Sequence, residues 1–152
     1  DWFDTDPPSR KEIRALAGYI DDTLAEPAKL LREAGPVDRA VGTSKTFRML
    51  ARLTGAAPSS AGPRVRRELT RPGLRQLTAF ISRMTAADRA ELEGVSADRS
   101  HQVVAGALVA EAAMRHLGIE RLEMCPWALR EGVILRRADA GESVSGSFRI
   151  DD

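Results

Sequence analysis

Val41-Gly42-Thr43-Ser44-Lys45-Thr46-Phe47-Arg48-Met49-Leu50-Ala51-Arg52-Leu53 passes through a turn of small polar residues into a helical pattern, with Phe47, Leu50 and Leu53 on neighbouring faces and Gly55 as the stop. Immediately upstream, Val37 to Gly42 is too short for a helix between Gly35-Pro36 and Gly42, and is predicted to be a short buried strand. In the order strand, tight loop, helix, backbone amides and the positive end of the helix dipole converge on one point. Gly42, Thr43, Ser44, Lys45 and Thr46 are therefore the candidate phosphate- or nucleotide-binding residues, with an ordinary tight turn as the plainer reading. Valine at position 42 is expected to block approach of an anion to the backbone with little loss of fold. A P-loop is excluded, although Lys45-Thr46 ends like one, because that motif requires glycine where Ser44 and Arg39 stand.

Working outward, Ser9 followed three residues later by Glu12 reads as a capping box, and Ile13, Leu16, Ile20, Leu24 and Leu31 recur at helical spacing up to Gly35. Pro27 lacks an amide hydrogen and crowds the preceding turn, so a kink or break is predicted near Glu26. Ala56 to Pro63 supplies turn residues and no periodic face, and is predicted to be a mobile loop. Thr70, with Pro72 just inside, starts a helix bearing Leu74, Leu77, Phe80, Ile81 and Met84, and Thr85 with Asp88 starts a shorter one. Ser96 is read as the cap of the longest element, Ala97 to Leu117, whose many small residues let other backbones approach closely. Arg121 to Cys125 alternates, with Leu122 and Met124 on one side, and is predicted to be a second strand; Pro126 then opens a helix through Leu135. Residues 138–152 form a polar tail in which Val144, Phe148 and Ile150 allow an edge strand. Two strands joined by a long helical crossover make a parallel pair, and an isolated pair is marginal in water. Either the sheet is vestigial in a mostly helical domain, or further strands lie outside the sequence.

The chain has 152 residues, 43% apolar and 30% charged, which indicates one globular domain and excludes a disordered or collagen-like chain. With 23 Lys+Arg against 22 Asp+Glu the formal charge is +1, so bulk charge implies neither a nucleic-acid nor a membrane partner, and any anion must be held locally. Cys125 is a lone cysteine, and no charged-then-apolar leader opens the chain, so the cytoplasm is the expected compartment. No apolar run approaches the roughly 20 residues of a membrane span. His101 and His116 stand too far apart for a metal pair and Cys125 has no second thiol nearby, so no metal ligand is assigned.

The segment Val41 to Leu53 resembles the second glycine/serine loop of the Ppx/GppA phosphatases, the exopolyphosphatases and guanosine pentaphosphate phosphohydrolases of the actin-like, sugar-kinase and heat-shock ATPase superfamily. Gly94-Val-Ser-Ala-Asp-Arg99, Gly106-Ala-Leu-Val109, Leu117-Gly-Ile-Glu-Arg-Leu122 and Ala128-Leu-Arg-Glu-Gly-Val-Ile-Leu135 follow that family's order and spacing, within blocks spanning Asp6 to Arg137. The resemblance implies a helix-rich α/β fold, part of a second actin-like (ribonuclease H-like) lobe with an incomplete sheet, and residues 1–137 as a partial carboxy-terminal domain. It implies hydrolysis of terminal phosphoanhydride bonds of inorganic polyphosphate. Guanosine pentaphosphate hydrolysis and non-catalytic nucleotide or alarmone binding are the alternatives. It also implies Mg²⁺ held mostly outside this chain, a homodimer, and an amino-terminal lobe carrying the catalytic glutamate and first phosphate loop. No catalytic residue is assigned here, so the chain alone is expected to be inactive. Lys45 stands where many members have glycine, and Ser100-His101-Gln102 replaces a commoner Ala-Asp-hydrophobic stretch. Arg130 and Glu131 are read as either helix docking or an interlobe contact.

Arg64, Arg66, Arg67, Arg71 and Arg75 form a basic cluster interrupted by Glu68. Guanidinium forks match phosphate oxygens, which makes Arg64, Arg66, Arg67 and Arg71 candidate polyphosphate contacts, with a solvated helix face as the plainer reading. Glu111 is expected to pair with Arg115 four residues on.

Overall fold

Residues 2–127 and 129–139 are described by a computed structural model, the side chains of residues 129, 130, 138 and 139 excepted. The capping box forms: the Ser9 hydroxyl accepts from the Glu12 amide at 3.3 Å, the Glu12 carboxylate accepts from the Ser9 amide at 2.8 Å, and helix α1 follows over Arg10–Glu33. Hydrogen bonds to that carboxylate from the Ser9 hydroxyl foremost, then from Thr5 and from backbone amides, hold its pKa down from 4.5 to about 2. The unfolded chain therefore takes up this proton first, so the cap contributes fully above about pH 4.5 and is lost as pH falls toward 2. Amide exchange in the first turn of α1 should accelerate relative to the buried helices across that window. Equal protection at its lower end would contradict this assignment.

The break expected near Pro27 does not occur, and α1 runs through it. Pro27 and Thr23, whose carbonyl loses its partner, are both exposed, so water satisfies the orphaned group while Leu16, Ile20 and Ala28 remain buried. Strand β1 is only Val41–Gly42, the two residues that pair with the neighbouring strand, and Val37 and Val41 are exposed, so the buried strand over Val37 to Gly42 is corrected to a two-residue one with only Gly42 buried. Helix α2, Lys45–Leu53, has the expected bounds.

Strand β2, Glu68–Thr70, escapes the sequence reading because its single apolar residue, Leu69, lies just after an arginine run. Thr70 and Thr85 cap helices α3, Arg71–Ile81, and α4, Ala86–Ala90, as expected. The long element predicted over Ala97 to Leu117 divides into a 3₁₀ helix, Ala97–Gln102, and α5, Val103–His116, so α1 is longer, and Ser96 makes no side-chain capping bond. Strand β3 is Arg121–Met124, and helix α6, Leu129–Asp139, starts later and ends later than expected. The expected tail lies, from residue 140 onward, outside the described residues.

The sheet order is β1-β3-β2, with β1 parallel to β3 and β2 antiparallel to it. The expected parallel pair is present, and the chain itself supplies a third strand. Bonds from the Met124 amide to the Arg67 carbonyl and from the Arg71 amide to the Glu120 carbonyl extend the antiparallel ladder at both ends. Leu69, Leu122 and Met124 point from the sheet into a core with Leu50 of α2, Leu74 and Ile81 of α3, and Val104, Ala107 and Met114 of α5. On the other side of α5, Ala112 packs with Leu16 and Ile20 of α1. The small residues of α5 thus let it contact helices on two sides.

Glu111 pairs with Arg75 at 3.7 Å, whereas Arg115 pairs with Asp21 of α1, so the expected 111–115 pair is replaced by two bridges between helices. Asp21 lies across from Arg115, and the Asp21 carboxylate also stands 3.2 Å from the His116 ring. These contacts join α1 to the end of α5.

Candidate anion-binding cleft

Lys45, Arg48 and Arg52 are spaced by three and four residues, which puts three cations on one face of α2 while Leu50 and Ala51 are buried on the other. That charged face lines a cleft of about 540 Å³, completed by Ala56–Ser59, Arg67, the 93–103 segment and Met124. Five cations border it (Lys45, Arg48, Arg52, Arg67 and Arg99) against one carboxylate, Glu93. Like charge gathered between low-dielectric walls focuses a positive potential into the cleft and draws in anions.

The 42–46 loop reaches this cleft only through its last residues. Ser44 is the N-cap of α2, its hydroxyl accepting from the Phe47 amide at 3.1 Å. Lys45 and Thr46 line the cleft, while Thr43 is exposed and does not. Gly42 is buried, and its carbonyl accepts from the Cys125 amide at 3.0 Å. A Cβ at that position would stand 3.0 Å from both Leu122 Cδ2 and Met124 Cε, so valine there must push these core side chains aside, and a cost in stability is expected in place of a spared fold.

The arginine cluster does not form one face. Arg67 alone enters the cleft, and its guanidinium donates to the carbonyls of Ala57, Val65, Pro58 and Gly62 at 2.8, 2.9, 2.6 and 3.0 Å. Three of those bonds, to Ala57, Pro58 and Gly62, organise the segment read as a mobile loop, which includes a 3₁₀ turn at Ser59–Ala61. Arg66 bridges Glu68 and Glu123 at 2.8 and 3.0 Å beside the sheet, in a second hollow it shares with Arg67 and Arg121. Arg71 pairs with Glu120 at 2.5 Å, and Arg64 is exposed away from the cleft. The set Arg64, Arg66, Arg67 and Arg71 is thus dispersed, each paired arginine already facing a carboxylate or carbonyls. Glu123, held by Arg39 foremost and also by Arg66, has its carboxyl below the ordinary range.

Arg48, Arg52 and Arg99 were missed by the sequence reading. Their signal is the cationic spacing on α2, which a search for glycine-rich loops passes over; Arg99 joins them only through the tertiary fold. The half-buried Glu131 lies in α6, whereas the side chain of Arg130 is outside the described residues. Among the described residues no group of three or more His, Cys, Asp or Glu side chains stands together to hold a metal ion. No helix among them is long and apolar enough to cross a membrane.

The profile of the Ppx/GppA phosphatase family matches residues 1–140. The chain is 67% identical over 140 residues to a Mycobacterium tuberculosis protein named exopolyphosphatase 1, covering 92% of this chain and 41% of that one. A Mycobacterium leprae protein of the same name is 61% identical over the same length. The chain thus spans about two fifths of the curated relatives it matches. A crystal structure of the Aquifex aeolicus Ppx/GppA family member shares the fold, with a TM-score of 0.77 at 20% identity over 93% of this chain and 45% of that one. The loop-to-helix segment, the cationic cleft beside it and the small mixed sheet are therefore features of a chain that belongs to the Ppx/GppA phosphatase family.

Proposed function

We propose that the whole protein is an exopolyphosphatase and that this chain contributes one wall of its phosphate-binding site. The observation that carries the reading is the cleft in which Lys45, Arg48, Arg52, Arg67 and Arg99 surround a single carboxylate. Such a wall neutralises successive phosphates and orients the terminal anhydride for attack by water. The amides of Lys45 and Thr46, at the first two positions of α2, add donors that no group among the described residues accepts. Relatives named exopolyphosphatase support polyphosphate over guanosine pentaphosphate as substrate.

The remaining parts of this reading follow from the family. The base is a glutamate of an amino-terminal lobe, and the described residues belong to a second actin-like lobe. The cleft's one carboxylate, Glu93, is engaged by Arg52 and has no second acid beside it, so these residues do not suit Mg²⁺ and its ligands are proposed to lie elsewhere. Exposed Val133, Ile134 and Leu135 on α6, near Arg130 and Glu131, offer apolar surface for the other lobe or for a second subunit of a homodimer. A cytoplasmic setting completes the proposal.

The test is phosphate release by the full-length protein from polyphosphate and from guanosine pentaphosphate. Arg48→Ala should lower kcat/KM for polyphosphate about ten-fold, the value of one charge-assisted contact, and leave the thermal midpoint unchanged. Equal activity of the two proteins would remove the cleft from the site. Preferential release from guanosine pentaphosphate would reverse the substrate assignment.

A further inference from the structure

We propose that Glu93 is a displaceable internal counter-ion of the cleft, occupying Arg52 until a phosphate takes its place. This rests on the cleft reading above and goes beyond it by assigning a residue that sets how strongly an anion must be charged to bind. Arg52 is mostly buried and donates through Nη1 to the Ala56 carbonyl at 3.0 Å, which aims its other amino group, Nη2, at Glu93 Oε2, 2.5 Å away. Glu93 contributes the carboxylate from the turn after α4, and its side chain is 73% exposed. One partner is fixed and the other loosely held, so release of Glu93 into solvent needs little rearrangement.

The chain geometry presents Glu93 at this point. Gly94, at φ +90°, takes a left-handed conformation that side chains rarely adopt, and a Cβ there would lie 3.6 Å from Arg52 Cγ. The turn after α4 therefore lies beside the Arg52 stem. A carboxylate is a poorer partner for Arg52 than a phosphate group bearing more charge and more acceptor oxygens. Multiply charged phosphates displace it, whereas singly charged anions compete on equal terms.

Calorimetric titration of tripolyphosphate into the full-length protein, at low ionic strength with EDTA present to prevent turnover, tests the assignment. Glu93→Gln should bind about five-fold tighter than wild type, the scale of one exposed ion pair. In an Arg52→Gln background the same change should add nothing, because Glu93 acts through Arg52. Glu26→Gln, which removes an equal charge from an exposed position on α1, should leave the affinity unchanged. An equal gain in both backgrounds would mean general repulsion and overturn the proposal, as would no gain in wild type. If none of the chains binds tripolyphosphate, the cleft reading itself fails along with it.

Discussion

Arg89→Met should destabilise the chain by about 3 kcal/mol, because it takes the donor from buried carbonyls, each worth about 1–3 kcal/mol when left short of a partner. Arg89 is 2% exposed, an unusual setting for a guanidinium. It donates to the carbonyls of Ser100, Ile81 and Met84 at 2.9, 3.2 and 2.5 Å and pairs with Asp6 at 3.3 Å. One side chain thus joins the end of α3, the 3₁₀ turn and the amino-terminal segment. Methionine matches much of the volume but donates to none of the three carbonyls, of which that of Ile81 still accepts from the Met84 amide at 3.2 Å. That loss is a large share of the roughly 5–15 kcal/mol that holds a typical domain folded. Urea unfolding should show it as a lower midpoint, and a change below about 1 kcal/mol would contradict the network's importance.

Gly42→Val should cost about 3 kcal/mol, at the upper end for overpacking a close-packed core. A single added carbon already meets Leu122 and Met124 at 3.0 Å and Phe47 Cβ at 3.3 Å, and valine adds two more. These neighbours link β1, β3 and the first turn of α2, so the strain falls on the elements that position Lys45 and Thr46. Thermal unfolding followed by circular dichroism should show the loss, with any loss of phosphate binding accompanying it. A fully stable variant that no longer binds phosphate would instead return Gly42 to a ligand-facing role.

The sequence showed most where local chemistry sets local structure. Ser9 with Glu12, Thr70 with Pro72, and Thr85 with Asp88 mark helix starts because a side-chain oxygen must satisfy an amide three residues on. The alternation of Leu122 and Met124 likewise marked β3. Local pattern failed where tertiary contacts decide. Leu69 alone could not announce β2, whose existence depends on pairing with β3. Pro27 could not reveal that its helix stays whole where solvent replaces the missing bond. Of the loop residues, Lys45 and Thr46 line the cleft, whereas Gly42 is buried against Leu122, Met124 and Phe47. The arginine run from 64 to 75 stood out by density, yet the fold scatters it among carboxylates and carbonyls. Arg48, Arg52 and Arg99 converge only when the fold brings α2 and the 3₁₀ helix Ala97–Gln102 to the border of one cleft.

The most direct measurement of the central claim is the salt dependence of polyphosphate binding by this chain, compared with a variant carrying Arg48→Ala, Arg52→Ala and Arg99→Ala. By analogy with other polyanions, each cation that neutralises a phosphate releases about one counter-ion and steepens the dependence of log K on log salt by about one. The triple variant should bind more weakly with a slope shallower by about three, while changing Arg64, Arg66 and Arg71 together should leave the slope nearly unchanged. A slope that survives loss of the cleft arginines but collapses with the 64–71 set would contradict the claim.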